Sequence, residues 1–427
     1  MRFLLPLCLA ASLAAQPAYD LLLKNGTVID PKNNINARRD IAIAGGKIAA
    51  VETSIDPARA KKVIDVAGLY VSPGFIDLHV HVFYGDGPSY RDGVLSVLPD
   101  AHSFRSGVTT MVDAGTAGAK NFEVFKKRII DRSKTRVLSF VNIVGAGMGG
   151  AVEQNQNDMD PALLIALAKK YPDLIVGVKT AHYAGPEWTA VDNAVKAGAG
   201  ANIPVMVDFG AFRLDRPHEE LITKRLRPGD MYTHAYLAAV PMLDKDGKVR
   251  PYLLEGRKRG VLFDAGHGGG SFVFRHAVPA IKQGFIPDSI STDLHASSMI
   301  GGMKDMTNVM SKFLNIGMSL EQVIRASTWH PARQIKRPEL GNLSVGSPAD
   351  VAVFSVQQGN FGFVDVYGAK MTGTQMITAE MTFRDGRMYW DLNGLARESW
   401  DKLPKDYGPQ ADWTWDGVVS SGVRGRK

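Results

Sequence analysis

Residues 72–81 read Ser-Pro-Gly-Phe-Ile-Asp-Leu-His-Val-His. An apolar run opens after a Pro-Gly break, and His79 and His81 stand two positions apart within it. Side chains on a strand alternate between faces, so two residues at this spacing point to the same side. The pattern then recurs. Apolar, strand-like runs occupy Phe75–Val82, Val108–Val112, Arg136–Ile143, Leu174–Lys179, Pro204–Phe209, Met231–Tyr236, Val261–Ala265 and Ser289–Leu294. Helical stretches separate them, such as Pro161–Tyr171, whose apolar positions recur at helical spacing. This β/α alternation over roughly 260 residues has the size of an α/β fold of the (β/α)8 TIM-type barrel class. A doubly wound open sheet is the alternative, weakened because no glycine fingerprint follows the first strand.

The 427 residues leave room for a smaller unit beside the barrel. Short β patterns precede it, with Asn25-Gly26 and Gly45-Gly46 read as tight turns between strands. After His330-Pro331, which is expected to end a helix, β character returns in Gly341–Val356 and Met381–Trp390. These outer strands are predicted to pair into one small β-sandwich module built from both chain ends. The resulting division is a signal peptide at 1–15, the N-terminal half of the β-sandwich at 16–72, the barrel at 73–335, the C-terminal half of the β-sandwich at 336–390 and a C-terminal tail at 391–427.

Hydrophobic residues make up 45% and charged residues 22%, ordinary values for a globular protein. The net charge of +7 is scattered, with no Lys/Arg block and no interleaved aromatics, so it reads as a solvated surface and not a nucleic-acid footprint. Arg2, the apolar Phe3–Leu13 and the small residues Ala14-Ala15 form an export-signal pattern, implying a periplasmic or secreted protein. An unstructured or buried tail is the competing reading. The run is too short to span a bilayer, and no later stretch is long and apolar enough to do so. The single cysteine, Cys8, lies in this leader without the small residue expected before a lipid-modified cysteine. Cleavage would leave no thiol, which excludes disulfides, thiol nucleophiles and cysteine ligands. The expected partner is a small-molecule substrate, and a homo-oligomer is left open.

The chemistry-bearing residues fall at the ends of the strand-like runs. His79 and His81 end the first, Lys179 the fourth, Asp208 the fifth, His234 the sixth and Asp293 the eighth, while His267 follows the seventh. In a barrel these ends form one mouth, where active sites are built. Imidazoles and carboxylates gathered there suit a divalent metal. Each residue also has a plainer reading. The histidines could be structural hydrogen-bonders, Lys179 a surface or salt-bridged lysine, and Asp208 a partner of Arg213. His267, beside three glycines, reads as a substrate contact or as a water-exposed loop residue. His182, Tyr183 and Arg213 are further candidate substrate contacts, and His182 and His295 could equally hold a ligand in place by hydrogen bonds. His102 and His276 read as packing or surface residues. The coincidence of so many ligand types at one end of different strands favours the functional reading.

The motifs SPGFIDLHVH (72–81), GVTTMVDAG (107–115), GVKTAHYAG (177–185), THAY (233–236) and STDLHA (291–296) occur in order, flanked by NGTVID (25–30) and GSPADVAVF (346–354). Together they resemble the amidohydrolase superfamily over nearly all of the chain after the leader. GVKTAHYAG, FDAGHGGGSF and PDSISTDLHASS are most similar to the deacetylase-type metallohydrolases, which act on N-acyl-amino acids and acetyl-hydroxy acids. Dihydroorotase-like members are more distant. The resemblance implies one or two zinc ions: His79, His81 and Asp293 would hold one, His234 a second, and Lys179 would bridge them as a carbamate. A free ammonium has no lone pair, and burial lowers a lysine pKa from ~10.4, which frees the amine to react with carbon dioxide. The resemblance implies a histidine at the end of the fifth strand, and this chain has Asp208, which can bind zinc at ~2.0–2.2 Å but adds negative charge. The implied reaction cleaves an amide or ester, releasing an acetyl or small acyl group, by metal-activated hydroxide formed near a pKa of ~7. Asp293 would act as the general acid and base. A cyclic amidase of the dihydroorotase or hydantoinase kind is the alternative, and a barrel that only binds a ligand is the lesser one.

Overall fold

The computed structural model describes residues 17–83, 85, 95–210 and 213–408. The expected leader with Cys8 and the tail beyond residue 408 lie outside the described residues. Among these residues no helix is long and apolar enough to cross a membrane.

The chain begins with β1 (Leu21–Asp30), β2 (Ile35–Ala44), β3 (Lys47–Glu52), β4 (Val63–Asp65) and β5 (Tyr70–Pro73). Gly45 and Gly46 join β2 to β3 with φ of 56° and 76°, the paired left-handed conformation of a two-residue hairpin turn. Asn25-Gly26 does not turn the chain. The two residues lie inside β1 at a bulge, where the pairing with β2 shifts between Leu23 and Gly26. The buried Asp40 carboxylate stabilises this kink, accepting from the Asn25 amide at 2.9 Å and from Lys24 Nζ at 2.7 Å. Glycine is required at the next position because a Cβ on Gly26 would lie 2.5 Å from Val71 Cγ2.

A parallel sheet follows, with neighbours in sequence order: β6 (Phe75–Val80), β7 (Val108–Gly118), β8 (Arg136–Asn142), β9 (Ile175–Thr180), β10 (Val205–Val207), β11 (Met231–Tyr232) and β12 (Leu262–Phe263). Every residue of β6, β7 and β9 is buried, as continuous apolar runs covered on both faces require. The eighth predicted run, Ser289–Leu294, makes single parallel bridges, Asp264 to Ser289 on one side and Val80 to Leu294 on the other. Backbone bonds back them: Ala265 N to Ser289 O and His81 N to Leu294 O, both 2.9 Å. The later strands are shorter than the apolar runs suggest. Their distal residues bend out of the ladder, His234 with φ 61° and Asp293 with φ 51°.

Helices connect these strands. Pro161–Lys170 starts where Asp160 accepts from the amides of Ala162 and Leu163, with proline in the first turn. His330-Pro331 does not end a helix. The preceding helix stops at Ser327, and both residues sit in the first turn of the helix Trp329–Gln334, where a missing proline N–H breaks no bond.

The chain closes with β13 (Val351–Val364), β14 (Lys370–Arg384) and β15 (Arg387–Asp391). They join the first strands in one eight-stranded sheet ordered β15-β14-β13-β5-β1-β2-β3, with β4 beside β1. β13 and β14 run far beyond the predicted segments as a long hairpin arm. Asn315, on the helix Met306–Ile316, ties the arm down, donating to Gln375 O at 2.7 Å and accepting from Thr374 N at 2.8 Å. Phe354 locks the two sheets together. It is fully buried, stacks on Tyr70 at 5.5 Å between ring centroids and lies 5.8 Å from Phe75 on the first parallel strand. Removing a buried aromatic ring costs ~3–5 kcal/mol. Phe354→Ala is therefore expected to lower the stability to urea by about that amount, and a variant within ~1 kcal/mol of the parent would show that the joint is made elsewhere.

Candidate active site

The C-terminal ends of the parallel strands open onto a cavity of about 890 Å³, lined among others by His79, His81, Lys179, His182, Asp208, His234 and Asp293. A second cavity, of about 490 Å³, lies at the opposite ends of the strands beside Pro204, Asp230 and Leu262 and contains none of these residues.

His81 Nε2 is 3.0 Å and His79 Nε2 3.5 Å from Asp293 Oδ1. One ligand atom from each of these residues lies within 4.8 Å of the others, a grouping that could hold a metal ion. Lys179 Nζ approaches His79 Nε2 at 3.1 Å, and the rings of His79 and His234 are 5.0 Å apart. Asp208 Oδ2 faces two imidazoles, His182 Nε2 at 3.1 Å and His234 Nε2 at 3.4 Å. The plain pairing of Asp208 with Arg213 does not occur: Arg213 reaches Asp215 at 2.7 Å and Ala184 O at 2.8 Å.

The far nitrogens of the histidines are anchored. His79 Nδ1 meets Thr233 Oγ1 at 3.0 Å, His81 Nδ1 meets Thr116 Oγ1 at 2.8 Å, and His234 Nδ1 meets Gly266 O at 2.6 Å. Thr233 donates onward to Asp264 Oδ2 at 2.7 Å. The carbonyl partner of His234 can only accept, so its Nδ1 carries a proton and Nε2 faces Asp208 on the cavity side. Burial lowers the pKa of this imidazole, but Asp208 outweighs it and holds the value above the usual one. Gly115, at φ 86°, makes room for the lysine stem, since a Cβ there would lie 2.6 Å from Lys179 Cβ. Sequence patterns alone do not single out Thr116, Thr233, Asp264 or Glu153. Only the position of Thr233 beside His234 and of Thr116 near the end of β7 could have signalled them.

Burial shapes the charges. Lys179 is fully buried, and loss of hydration pulls its pKa below the usual ammonium value, although Asp208 and Asp293 oppose the shift. Burial raises the pKa of Asp293, but His79 and His81 outweigh it and hold the carboxyl below its usual range. Asp208 is likewise held well below the carboxylate range, burial being outweighed by His234 and His182. His79 is pushed well below the usual imidazole value by burial and by the charge of Lys179. His182 moves the other way, to about 10, through its hydrogen bonds to Asp208 and Glu153.

Three expected substrate contacts are placed elsewhere. His267 is neither exposed nor, among the described residues, part of the cavity lining. Gly266 and Gly268, with φ of 45° and 57°, turn it inward, where it stacks on Phe272 at 4.5 Å and meets the buried Lys312 Nζ at 2.7 Å. The Tyr183 hydroxyl donates to Glu187 at 2.7 Å, and Arg213 is taken by Asp215. His182 does line the cavity, as does His295. His276 is partly buried, with Nδ1 3.0 Å from Leu237 O, a packing role as expected.

Two imidazoles and a carboxylate with anchored far nitrogens match the donor chemistry of zinc sites. Thr116→Val leaves the shape of the His81 anchor but removes its hydrogen bond. It is expected to let a chelator strip metal at ~10–100-fold lower concentration, and unchanged retention would show that Thr116 does not orient His81.

The family model described as the amidohydrolase family matches residues 274–387. A deacetylase of Agrobacterium fabrum (strain C58 / ATCC 33970) is 33% identical over 350 residues, covering 77% of this chain and 81% of the relative. A deacetylase of Enterococcus faecalis (strain ATCC 700802 / V583) is 30% identical over 384 residues, covering 87% and 99% respectively. The crystal structure of an adenine deaminase superposes with a TM-score of 0.80 at 30% identity, covering 87% of this chain and 99% of that one. On this extent of similarity the chain belongs to the amidohydrolase family, in its deacetylase-type branch, and is a hydrolytic enzyme.

Proposed function

We propose that the protein is a divalent-metal-dependent deacylase. It removes an acetyl or small acyl group from an amide or ester such as an N-acyl-amino acid or an acyl-hydroxy acid. The observation that carries this reading is the convergence of His79, His81 and Asp293 on one point beside a fully buried lysine. The name shared by the deacetylases above supports the acyl group. The cavity volume of about 890 Å³ suits a small-molecule substrate. In the same reading, residues 73–335 form a closed (β/α)8 barrel, with Ser289–Leu294 as its eighth strand, and residues 16–72 and 336–390 form the β-module. The leader 1–15 would direct export to the periplasm or beyond.

His79, His81 and Asp293 would hold one ion, and His234 and Asp208 a second. Zinc suits these donors, and Lys179, whose pKa burial lowers, would add an anionic donor once carbamylated by carbon dioxide. A divalent ion bound here supplies Lewis acidity, polarising a carbonyl and lowering the pKa of water to ~7. The chain's own residues do the rest. Asp293 is kept ionised by His79 and His81, so it can accept a proton from the attacking water. It then returns that proton to the leaving nitrogen or oxygen. Its second oxygen, Oδ2, faces His295 Nε2 at 3.8 Å, on the cavity side.

Lys179→Ala is expected to abolish hydrolysis and lower metal content, and added propionate should restore some of each by occupying the vacated space with a carboxylate. A fully active Lys179→Ala enzyme would remove the lysine from the site. A panel of acetylated amino acids, acetyl-hydroxy acids and cyclic imides should show turnover of the acetylated compounds. Turnover of the cyclic compounds alone would make the enzyme a cyclic amidase. No turnover and no bound metal, even with zinc and bicarbonate added, would make it a binding protein.

A further inference from the structure

We propose that His182 is a metal ligand, forming with Asp208 and His234 a second donor set of two imidazoles and one carboxylate, and that Glu153 positions it. The proposal rests on the metal-dependent reading above and concerns the half of the cavity opposite His79, His81 and Asp293.

The first reason is convergence. His182 Nε2 and His234 Nε2 approach the same atom, Asp208 Oδ2, at 3.1 Å and 3.4 Å. These residues follow three successive parallel strands, β9, β10 and β11, and all line the cavity. The second half thus repeats the composition of the first, in which two imidazoles approach Asp293 Oδ1. Lys179 lies between the halves, and the His79 and His234 rings on either side are 5.0 Å apart. A carboxylate with two imidazoles is a donor set suited to zinc. The histidine missing from the end of β10 is supplied, in this reading, by the loop after β9.

The second reason is the anchor. His182 Nδ1 lies 3.1 Å from Glu153 Oε2. Glu153 is 1% exposed, and its other oxygen accepts from the amides of Gly149 and Gly150, both at 3.0 Å. A buried carboxylate gripping the far nitrogen fixes the imidazole's orientation and tautomer, as such partners do for metal-bound histidines.

The third reason is backbone strain. His182, His234 and Asp293 hold φ of 54°, 61° and 51°, a region uncommon for non-glycine residues, though less so for histidine and aspartate than for most. Strain of this kind persists where the surrounding structure imposes it, and it clusters at functional sites. Three of the nine described non-glycine residues with positive φ line this one cavity, and His182 is among them. Its side chain is 51% exposed, toward the cavity that an incoming ion would enter. The rival reading is a permanent ion pair, with an imidazolium held between Asp208 and Glu153 and no ion on this side.

The test is metal stoichiometry. Full-length wild type, His182→Ala, His182→Gln and Glu153→Gln are stripped, then reconstituted with zinc or cobalt in bicarbonate, with thermal melting as a check on folding. Wild type should bind two ions per chain and both His182 variants one, with the cobalt absorption of the second site lost. Glutamine keeps a hydrogen bond to a carboxylate, so its failure to restore the second ion would separate ligation from hydrogen bonding. Glu153→Gln should keep two ions but bind the second ~10–100-fold more weakly. Two ions in wild type and still two in the His182 variants would overturn the proposal. One ion in both wild type and variants would also overturn it, leaving His182 ion-paired with Asp208 and the one-metal hydrolase intact. No ion in wild type would overturn this proposal together with the metal-dependent reading itself.

Discussion

Beneath the cavity lie three fully buried carboxylates, Asp77, Asp113 and Asp264, and much of the site depends on satisfying them. A buried carboxylate without hydrogen bonds is too costly to keep, so each must be met by donors from neighbouring elements. Asp264 accepts from Ser289, Ser291 and Thr233, which joins β12 to the segment 289–294 and to the end of β11. Asp77 accepts from the Thr292 hydroxyl and amide, joining β6 to the residue before Asp293. Burial pushes its pKa up to about 7. Asp113 accepts from the amides of Val82 and of Thr116, the first next to His81 in the chain and the second the anchor of its ring. The same bonds that satisfy these acids set the threonines that orient His79 and His81. Folding and assembly of the site are therefore one event.

Above this layer the chain accepts strain. Three cavity residues hold left-handed backbone, and Gly115 gives up its side chain so that Lys179 can pass. Conformations of this kind cost of order 1–3 kcal/mol each and need a rigid surround to persist. The surround here is the continuous apolar packing of the parallel strands, joined to the outer sheet through Phe354. The burial that packs these strands also removes water from Lys179, which lowers its pKa, although Asp208 and Asp293 oppose the shift.

Legibility in the sequence followed how local each signal was. Strands buried on both faces announce themselves as uninterrupted apolar runs, so β6 to β12 and the segment 289–294 were found at their positions. The Gly45-Gly46 turn was legible because it depends on two adjacent residues. Asn25-Gly26 has the same local chemistry but makes no turn, because Asp40, fifteen positions away, holds the chain within β1 through a bulge. The long β13–β14 arm was missed because its exposed half is polar and is held by Asn315 on a distant helix. His267 looked like a loop residue beside three glycines, and its burial against Phe272 and Lys312 leaves no trace in its own neighbourhood.

The sequence by itself determined which side chains end which strands. Period-two alternation and the β/α rhythm put His79, His81, Lys179, Asp208, His234 and Asp293 at one end of the sheet, and these are local properties of the backbone. Only the tertiary structure decided which of them meet. The 100 positions between His79 and Lys179 close to a 3.1 Å contact, and the 29 between Glu153 and His182 close to another. It also gave Asp208 its partners, His182 and His234 in place of the nearby Arg213. The physical reason is that a side chain's neighbours in a curved sheet come from other strands, at separations fixed by loop lengths and packing. A strand's own pattern carries its direction and its face, and not the identity of what stands opposite.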